Sequence, residues 1–319
     1  MSSIAAVLKG LRRLLPALVL ASICLSALPG FAGSVDPVTV TANKDIINAY
    51  REILALFGGD PLKVTPDIPA GRYDRTAVEL VIVARALRLG GMNRPVAFVN
   101  TSNARRAVEE VLCGNAVMTG QQLDTSVLNA RQNVKDLYLS DPVTPVGEFH
   151  KLFYCLPENK KVLAAHSVEE LNRAGRGIIG SVWNNDRKVL TDMGVTGLTQ
   201  APTFPCLIKM ILAGRADWIP MEASNHPGME RFMGGHRFVP VPGIRFSLIE
   251  SRHFMVSRHH PDGEAVFNAL QAGLKELRRQ GFIRAMLAAT GFRATDRLGW
   301  KTLNQDAVDR RRKRPSHTP

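Results

Sequence analysis

The 319-residue chain is 45% hydrophobic, 6% aromatic and 22% charged, and its 41 lysines and arginines against 28 acids give a formal net charge of +13. An ordinary apolar fraction excludes wholesale disorder, and the length suits two globular units better than one. The densest basic cluster, Arg310–Arg314, sits at the very end, and no basic face interleaved with aromatics precedes it, so a nucleic-acid-binding reading is excluded.

In chain order, Lys9, Arg12 and Arg13 form a basic opening. An uncharged apolar run from Leu14 to Leu28 follows, and Gly30-Phe31-Ala32 supplies small residues at −3 and −1. This is the layout of a cleavable secretory signal over 1–32; the apolar run falls short of the ~20 residues a membrane span needs. Ile23 before Cys24 departs from a lipoprotein pattern. A soluble exported protein, periplasmic after cleavage, is the expectation. Beyond the signal, Cys113, Cys155 and Cys206 permit at most one internal bridge and leave a free thiol. No CxxC or HExxH spacing is present, and His236 and the His253/His259/His260 group have no acid or cysteine partners at ligand offsets. Neither metal nor cofactor is expected.

Residues 33–60 read as an N-terminal extension whose Ile46, Ile47, Tyr50, Ile53, Leu54 and Phe57 recur at helical spacing before Gly58-Gly59. A strand–helix alternation then begins. Pro61–Thr65 is a strand candidate, Arg75–Leu89 a helix closed by Gly90-Gly91, Val96–Val99 a strand, Ala104–Leu112 a helix and Ala116–Met118 a strand. The second series opens with the alternating strand Phe149–Leu156. Ser167-Val168-Glu169-Glu170 is a capping box, and Gly177–Gly180 is a buried strand. Helices are expected over Asp186–Met193 and Thr203–Ala213, a strand over Ala216–Ile219 with Trp218 as core, and a long strand region over Ile244–Ser257. The amphipathic helix after Asp262 carries Val266, Leu270, Gly273, Leu274 and Leu277 on one face. Alternating βαβ units imply parallel sheets with helical crossovers. Two such units joined near 149–156 and 244–257 predict two lobes, a hinge and a cleft. The expected organisation is 61–148 as the first part of lobe 1, 149–244 as lobe 2, 245–300 as the return strand and closing helices of lobe 1, and 301–319 as a basic, disordered and dispensable tail.

The pieces Pro61–Tyr73, Arg105 to Ala116, Arg131 with Tyr138-Leu139-Ser140-Asp141-Pro142, Ser167–Gly180 and above all Leu207–Trp218 followed by Ala265–Phe282 resemble, in this order and spacing, the periplasmic solute-binding proteins of ABC transporters, type II, family 3, which includes amino-acid-binding proteins. The resemblance covers roughly 61–295. It implies a two-lobed α/β fold that binds a small solute between its lobes, acts as a monomer and delivers the solute to an ABC permease. Three departures bear on the ligand: the extension 33–60, the long loop between Thr119 and Arg131, and Ile219-Pro220-Met221-Glu222 after Asp217.

By the same resemblance Arg131 falls where the family clamps a ligand carboxylate, a task suited to the guanidinium fork; a surface-loop arginine is the alternative. Trp183, Asn184 and Asn185, between a strand and a helix, are expected at the cleft mouth to stack on and hydrogen-bond the ligand, or else to cap the helix. Glu222 lies where the second lobe meets a ligand amine, Tyr73 is expected to close the cleft from the first lobe, and Thr119 to donate to a carboxylate. The leading expectation is solute capture by hinge closure. The alternatives are a dehydratase-like enzyme on the same fold, with Glu222 as its one acidic candidate, and an orphan sensory domain.

Overall fold

A computed structural model describes residues 36–129 and 131–313; the expected export signal lies outside the described residues. The chain opens with β1 (Val38–Ala42), α1 (Lys44–Leu56), α2 (Arg75–Leu89), β2 (Val96–Asn100), α3 (Ala104–Leu112), β3 (Met118–Thr119) and β4 (Leu137–Leu139). It crosses into a second lobe made of β5 (Phe149–Cys155), α4 (Lys160–Leu163), α5 (Val168–Ala174), β6 (Gly177–Gly180), α6 (Asn184–Asp192), β7 (Leu198–Ala201), α7 (Phe204–Leu212), β8 (Ile219–Met221), β9 (Arg231–Met233) and β10 (His236–Pro240). The return passes through β11 (Ile244–Leu248) and β12 (Met255–Ser257) to α8 (Gly263–Arg279) and α9 (Phe282–Ala289), and ends in β13 (Lys301–Thr302) and α10 (Gln305–Lys313).

Both lobes repeat one sheet plan. In the first, the order is β2-β1-β3-β12-β4, with β1 parallel to β2 and β3 and with β12 antiparallel to β3 and β4. In the second, β7 pairs in parallel with β6, β6 bridges to the chain at Trp218, and β8 runs antiparallel to β5. Each lobe therefore has a parallel core flanked by one antiparallel strand that belongs to the hinge or the return. Carboxyl ends of such parallel strands are where open α/β sheets leave room for a ligand.

The segment 33–60, expected as an extension, belongs to the first lobe from residue 36 onward. Val38, Val40 and Thr41 are almost wholly buried, and β1 lies inside the first sheet. Asn43 caps α1 by accepting from the Ile46 N–H at 2.9 Å, one of the unpaired donors every helix start presents. Pro61–Thr65 forms turns and no strand; Pro61 and Pro66 cannot donate to a ladder, and Val64 instead plugs the core. Helix α2 is apolar on nearly every side because it packs against both α1 and α8. Its contact with α8 is backbone-close: a Cβ on Gly273 would collide with the Ala86 carbonyl, and one on Gly90 with that of Ala269.

Trp218 is fully buried in the second lobe, edge-on to Phe153 at 5.2 Å, as its place in a strand pattern implied. Cys113, Cys155 and Cys206 are all free thiols. Among the described residues no helix is long and apolar enough to cross a membrane.

The expected tail is also corrected. β13 pairs in parallel with β11, Asn304 and Val308 are buried, and Arg311 reaches Glu250 at 3.1 Å. Residues 301–313 thus dock on the hinge, because Leu303, Asn304 and Val308 offer a packable face that the surrounding charges obscured.

The hinge pair itself, β5 with β11, places His150 opposite Ser247, whose hydroxyl lies 2.7 Å from the imidazole Nδ1. Burial first, and then Arg245, push the His150 pKa down to about 4, against the pull of Asp296. The unfolded imidazole binds its proton near 6.5 while the folded one resists until about 4. His150 accordingly stabilises the fold above pH 6.5, and this contribution is lost as the pH falls to 4. Denaturant titrations across that window should show a loss of about 2–3 kcal/mol. His150→Asn should flatten the slope, and an unchanged slope would show that the imidazole is solvated.

Candidate functional site

The two lobes face each other across a cavity of about 210 Å³. The first lobe supplies Arg75 from the first turn of α2 and Gln121, Leu123, Asp124 and Ser126 from the loop after β3; the hinge strand β5 supplies Phe149 and Lys151. The second lobe supplies Val182 to Asp186 at the start of α6, and Met221 and Glu222 at the end of β8. Arg252 enters from the break between β11 and β12.

The chemistry of this wall is ionic and aromatic together. Arg75 donates from Nε and Nη2 to the two oxygens of Glu222, each at 3.2 Å, and from Nη1 to Glu79. Lys151 Nζ lies 2.5 Å from Asp186 Oδ1 and 4.7 Å from the Trp183 ring centre. Arg252 donates to Asp124 Oδ2 at 2.9 Å and to the Gln122 carbonyl at 3.0 Å. The Phe149 ring carries both guanidiniums, Arg75 at 4.9 Å and Arg252 at 4.5 Å, a cation–π arrangement worth most where water is excluded.

Burial shifts the acids in two directions. Desolvation would raise Glu222, but Arg75 beside it, with Lys151 and Arg231, holds its pKa down to about 2. Asp124 is lowered likewise: burial opposes, and Arg252 and the Ser126 hydroxyl prevail. Glu79 and Asp186 are raised, because desolvation outweighs Arg75 in one case and Lys151 in the other. Arg75 remains cationic: burial lowers its pKa and the flanking Glu222 and Glu79 more than reverse this.

Of the residues singled out by sequence, the structure brings Trp183, Asn184, Asn185 and Glu222 together on the cavity wall. Asn184 also spans the lobes, donating to the Ser126 carbonyl at 3.2 Å. Arg131 is exposed in a turn and does not line this cavity; the long loop before it carries it away, and the arginines that do line it are Arg75 and Arg252. Thr119 is fully buried, and its hydroxyl accepts the Met255 N–H at 3.0 Å within the first sheet. Tyr73 is 4% exposed and lines a separate rim cavity of about 200 Å³ with Asn225, His226 and Phe232. Glu222 is paired with Arg75 of the opposite lobe.

Sequence reasoning missed Arg75, Lys151, Asp186, Arg252 and Asp124. Two of them left a trace. A cation in the first turn of a helix opposes the macrodipole, as Arg75 does, and so calls for acid partners. Lys151 sits in a strand whose residues are otherwise apolar but for His150, where an unpaired ammonium is costly.

No protein-family model and no curated protein matches the sequence. Among solved structures, an amino-acid ABC transporter substrate-binding protein from Streptococcus pneumoniae bound to L-arginine is 12% identical, with 66% of this chain and 82% of that one covered and a TM-score of 0.47. A histidine kinase sensor domain with similarity to periplasmic binding proteins is 15% identical, covering 80% of this chain and 96% of its own at a TM-score of 0.47. The GluR0 ligand-binding core from Nostoc punctiforme, in complex with L-glutamate, is 11% identical, covering 79% and 97% at 0.46. These likenesses are of fold alone.

Proposed function

We propose that this two-lobed, type II periplasmic-binding-protein-like chain captures a small polar, amino-acid-like solute between its lobes. The observation that carries the reading is the interlobe cavity, walled by both lobes, floored by Phe149 and Trp183 and ringed by charged side chains. Concave sites with an aromatic lining and a few convergent polar groups are where small ligands bind. A volume of about 210 Å³ suits a solute of amino-acid size. Hinge closure over the solute would then present one closed form to a permease outside the cytoplasm, in keeping with the expected export signal. A binding protein is favoured over an enzyme because the acids lining the cavity, Asp124, Asp186 and Glu222, are each paired with a cation of the protein itself.

The test is a thermal-shift screen of the purified protein against amino acids, amines and organic acids, with calorimetric titration of each positive. A solute at a hundred times its dissociation constant adds about 2.7 kcal/mol, a rise of roughly 5–10 °C at this size. A panel in which nothing moves the melting point, with Trp183→Ala indistinguishable from the parent, would refute capture at this cavity.

A further inference from the structure

The cleft is fastened across its whole width by the protein's own groups. Arg75 of the first lobe grips both oxygens of Glu222 of the second, with only 8% and 20% of the two side chains exposed. Arg231, which also donates to the Glu222 carbonyl at 2.8 Å, reaches Asp74 across the gap at 3.3 Å. The Gly71 N–H donates to Asn225 Oδ1 at 2.5 Å, and Asn225 Nδ2 donates onward to the Ala289 carbonyl. Gly291 lets the first lobe touch the backbone of Ser224 and Asn225, where any Cβ would collide. A fork of two guanidinium donors on two carboxylate oxygens is the geometry by which arginine holds a free carboxylate.

We infer that Glu222 is an internal occupant of the cleft: its carboxylate sits on Arg75 as a solute's carboxylate does, and it holds the lobes together when no solute is bound. This rests on the reading of the cleft as a solute site, and it assigns the carboxylate receptor to Arg75. A carboxylate-bearing solute competes with Glu222 for the guanidinium, so the affinity of the intact protein for such solutes is set by a displacement and not by an empty site. Truncating Glu222 to Ala leaves a hole of defined chemistry, one methylene and a carboxylate deep, which acetate matches and acetamide, lacking the charge, does not.

The experiment compares the full-length protein with Glu222→Ala and with the near-isosteric Glu222→Gln. It uses small-angle scattering and thermal melts, each without solute and in tens of millimolar acetate or acetamide. The parent is expected to be compact without solute. Both variants should be expanded and melt several degrees lower. Acetate should contract Glu222→Ala and raise its midpoint by about 3 °C or more, while acetamide does neither and the parent does not respond. Should Glu222→Ala fail to fold, the expansion of Glu222→Gln decides. A parent already open without solute, a variant as compact as the parent, or an equal response to acid and amide overturns the inference. A parent that is compact but takes no solute from the screening panel refutes solute capture instead, so the two failures are separable.

Discussion

Arg75→Ala is expected to lower the unfolding free energy by about 3–5 kcal/mol, the usual consequence of removing one partner from a buried ionic group. The cost arises mainly from what remains. Glu79 is wholly buried, with burial already pushing its pKa up, and it keeps only the Gln122 side chain at 2.6 Å and the Gln122 N–H at 3.1 Å. Without the Arg75 guanidinium its charge keeps only the weaker pull of Arg252, and the carboxyl takes up a proton or draws water into the core. Glu222 loses its partner too, and with it the pairing that holds its pKa at about 2. A group with a depressed folded pKa stabilises above its unfolded value and ceases to do so as the pH falls toward the folded one. In the parent this contribution fades only between about 4.5 and 2, and in Arg75→Ala it should be reduced to what Lys151 and Arg231 supply. Adding Glu79→Gln to Arg75→Ala should recover part of the loss, because a neutral amide replaces the stranded charge. Urea titrations of the three proteins make the comparison; a double variant no more stable than Arg75→Ala alone would show that lost packing on Phe149 and Phe292 dominates.

The second large effect is expected from truncation after Trp300. The deletion removes Leu303, whose N–H donates to Arg245 at 2.8 Å, and Asn304, whose side chain brackets Ser247 through bonds of 2.9 and 2.8 Å. Val308, 1% exposed, leaves with it, as does the Arg312 bond to the Val146 carbonyl at 3.0 Å. Each lost hydrogen bond is worth about 1 kcal/mol and the valine about 1.5 or more. The ordering entropy that the shortened chain no longer bears offsets part of the total. A net loss of about 3 kcal/mol, or some 6–12 °C, is the expected result. Asn304→Ala should reproduce roughly half of it. A truncated protein melting within a degree of the parent would mean that 301–313 rests on the hinge without supporting it.

The pattern of apolar residues made most helices and both lobes legible. Arg75–Leu89 and Ala104–Leu112 were bounded by glycine or asparagine signals and fall where their periodicity put them. What failed was anything decided by partners distant in the chain. Val38–Ala42 alternates valine with threonine as a half-buried strand does, and the burial of Thr41 with the valines becomes evident only when β2 and β3 flank it. The region 244–257 reads as one strand, yet Ile249 to Phe254 interrupts it, and that interruption delivers Arg252 to the cleft. In the site, Trp183, Asn184, Asn185 and Glu222 were recognisable because a strand-to-helix turn or strand end places side chains at a cleft whatever the loop lengths. Arg131 was not, because its position depends on the path of the long loop before it, which no local pattern of residues sets.

The insertion of β12 between β3 and β4 has a consequence for the order of synthesis. Met255 and Thr119, joined by a 3.0 Å bond, lie 136 residues apart, whereas β5, β6, β7 and β8 all precede β12 in the chain. A polypeptide emerging from its amino end can thus assemble the parallel core of the second lobe while the first still exposes the facing edges of β3 and β4. Pairings of such long separation form late, and unpaired edges recruit other strands in the meantime. The first-made lobe is therefore the last to be finished, and Met255-Val256-Ser257 is the segment whose arrival ends its exposure.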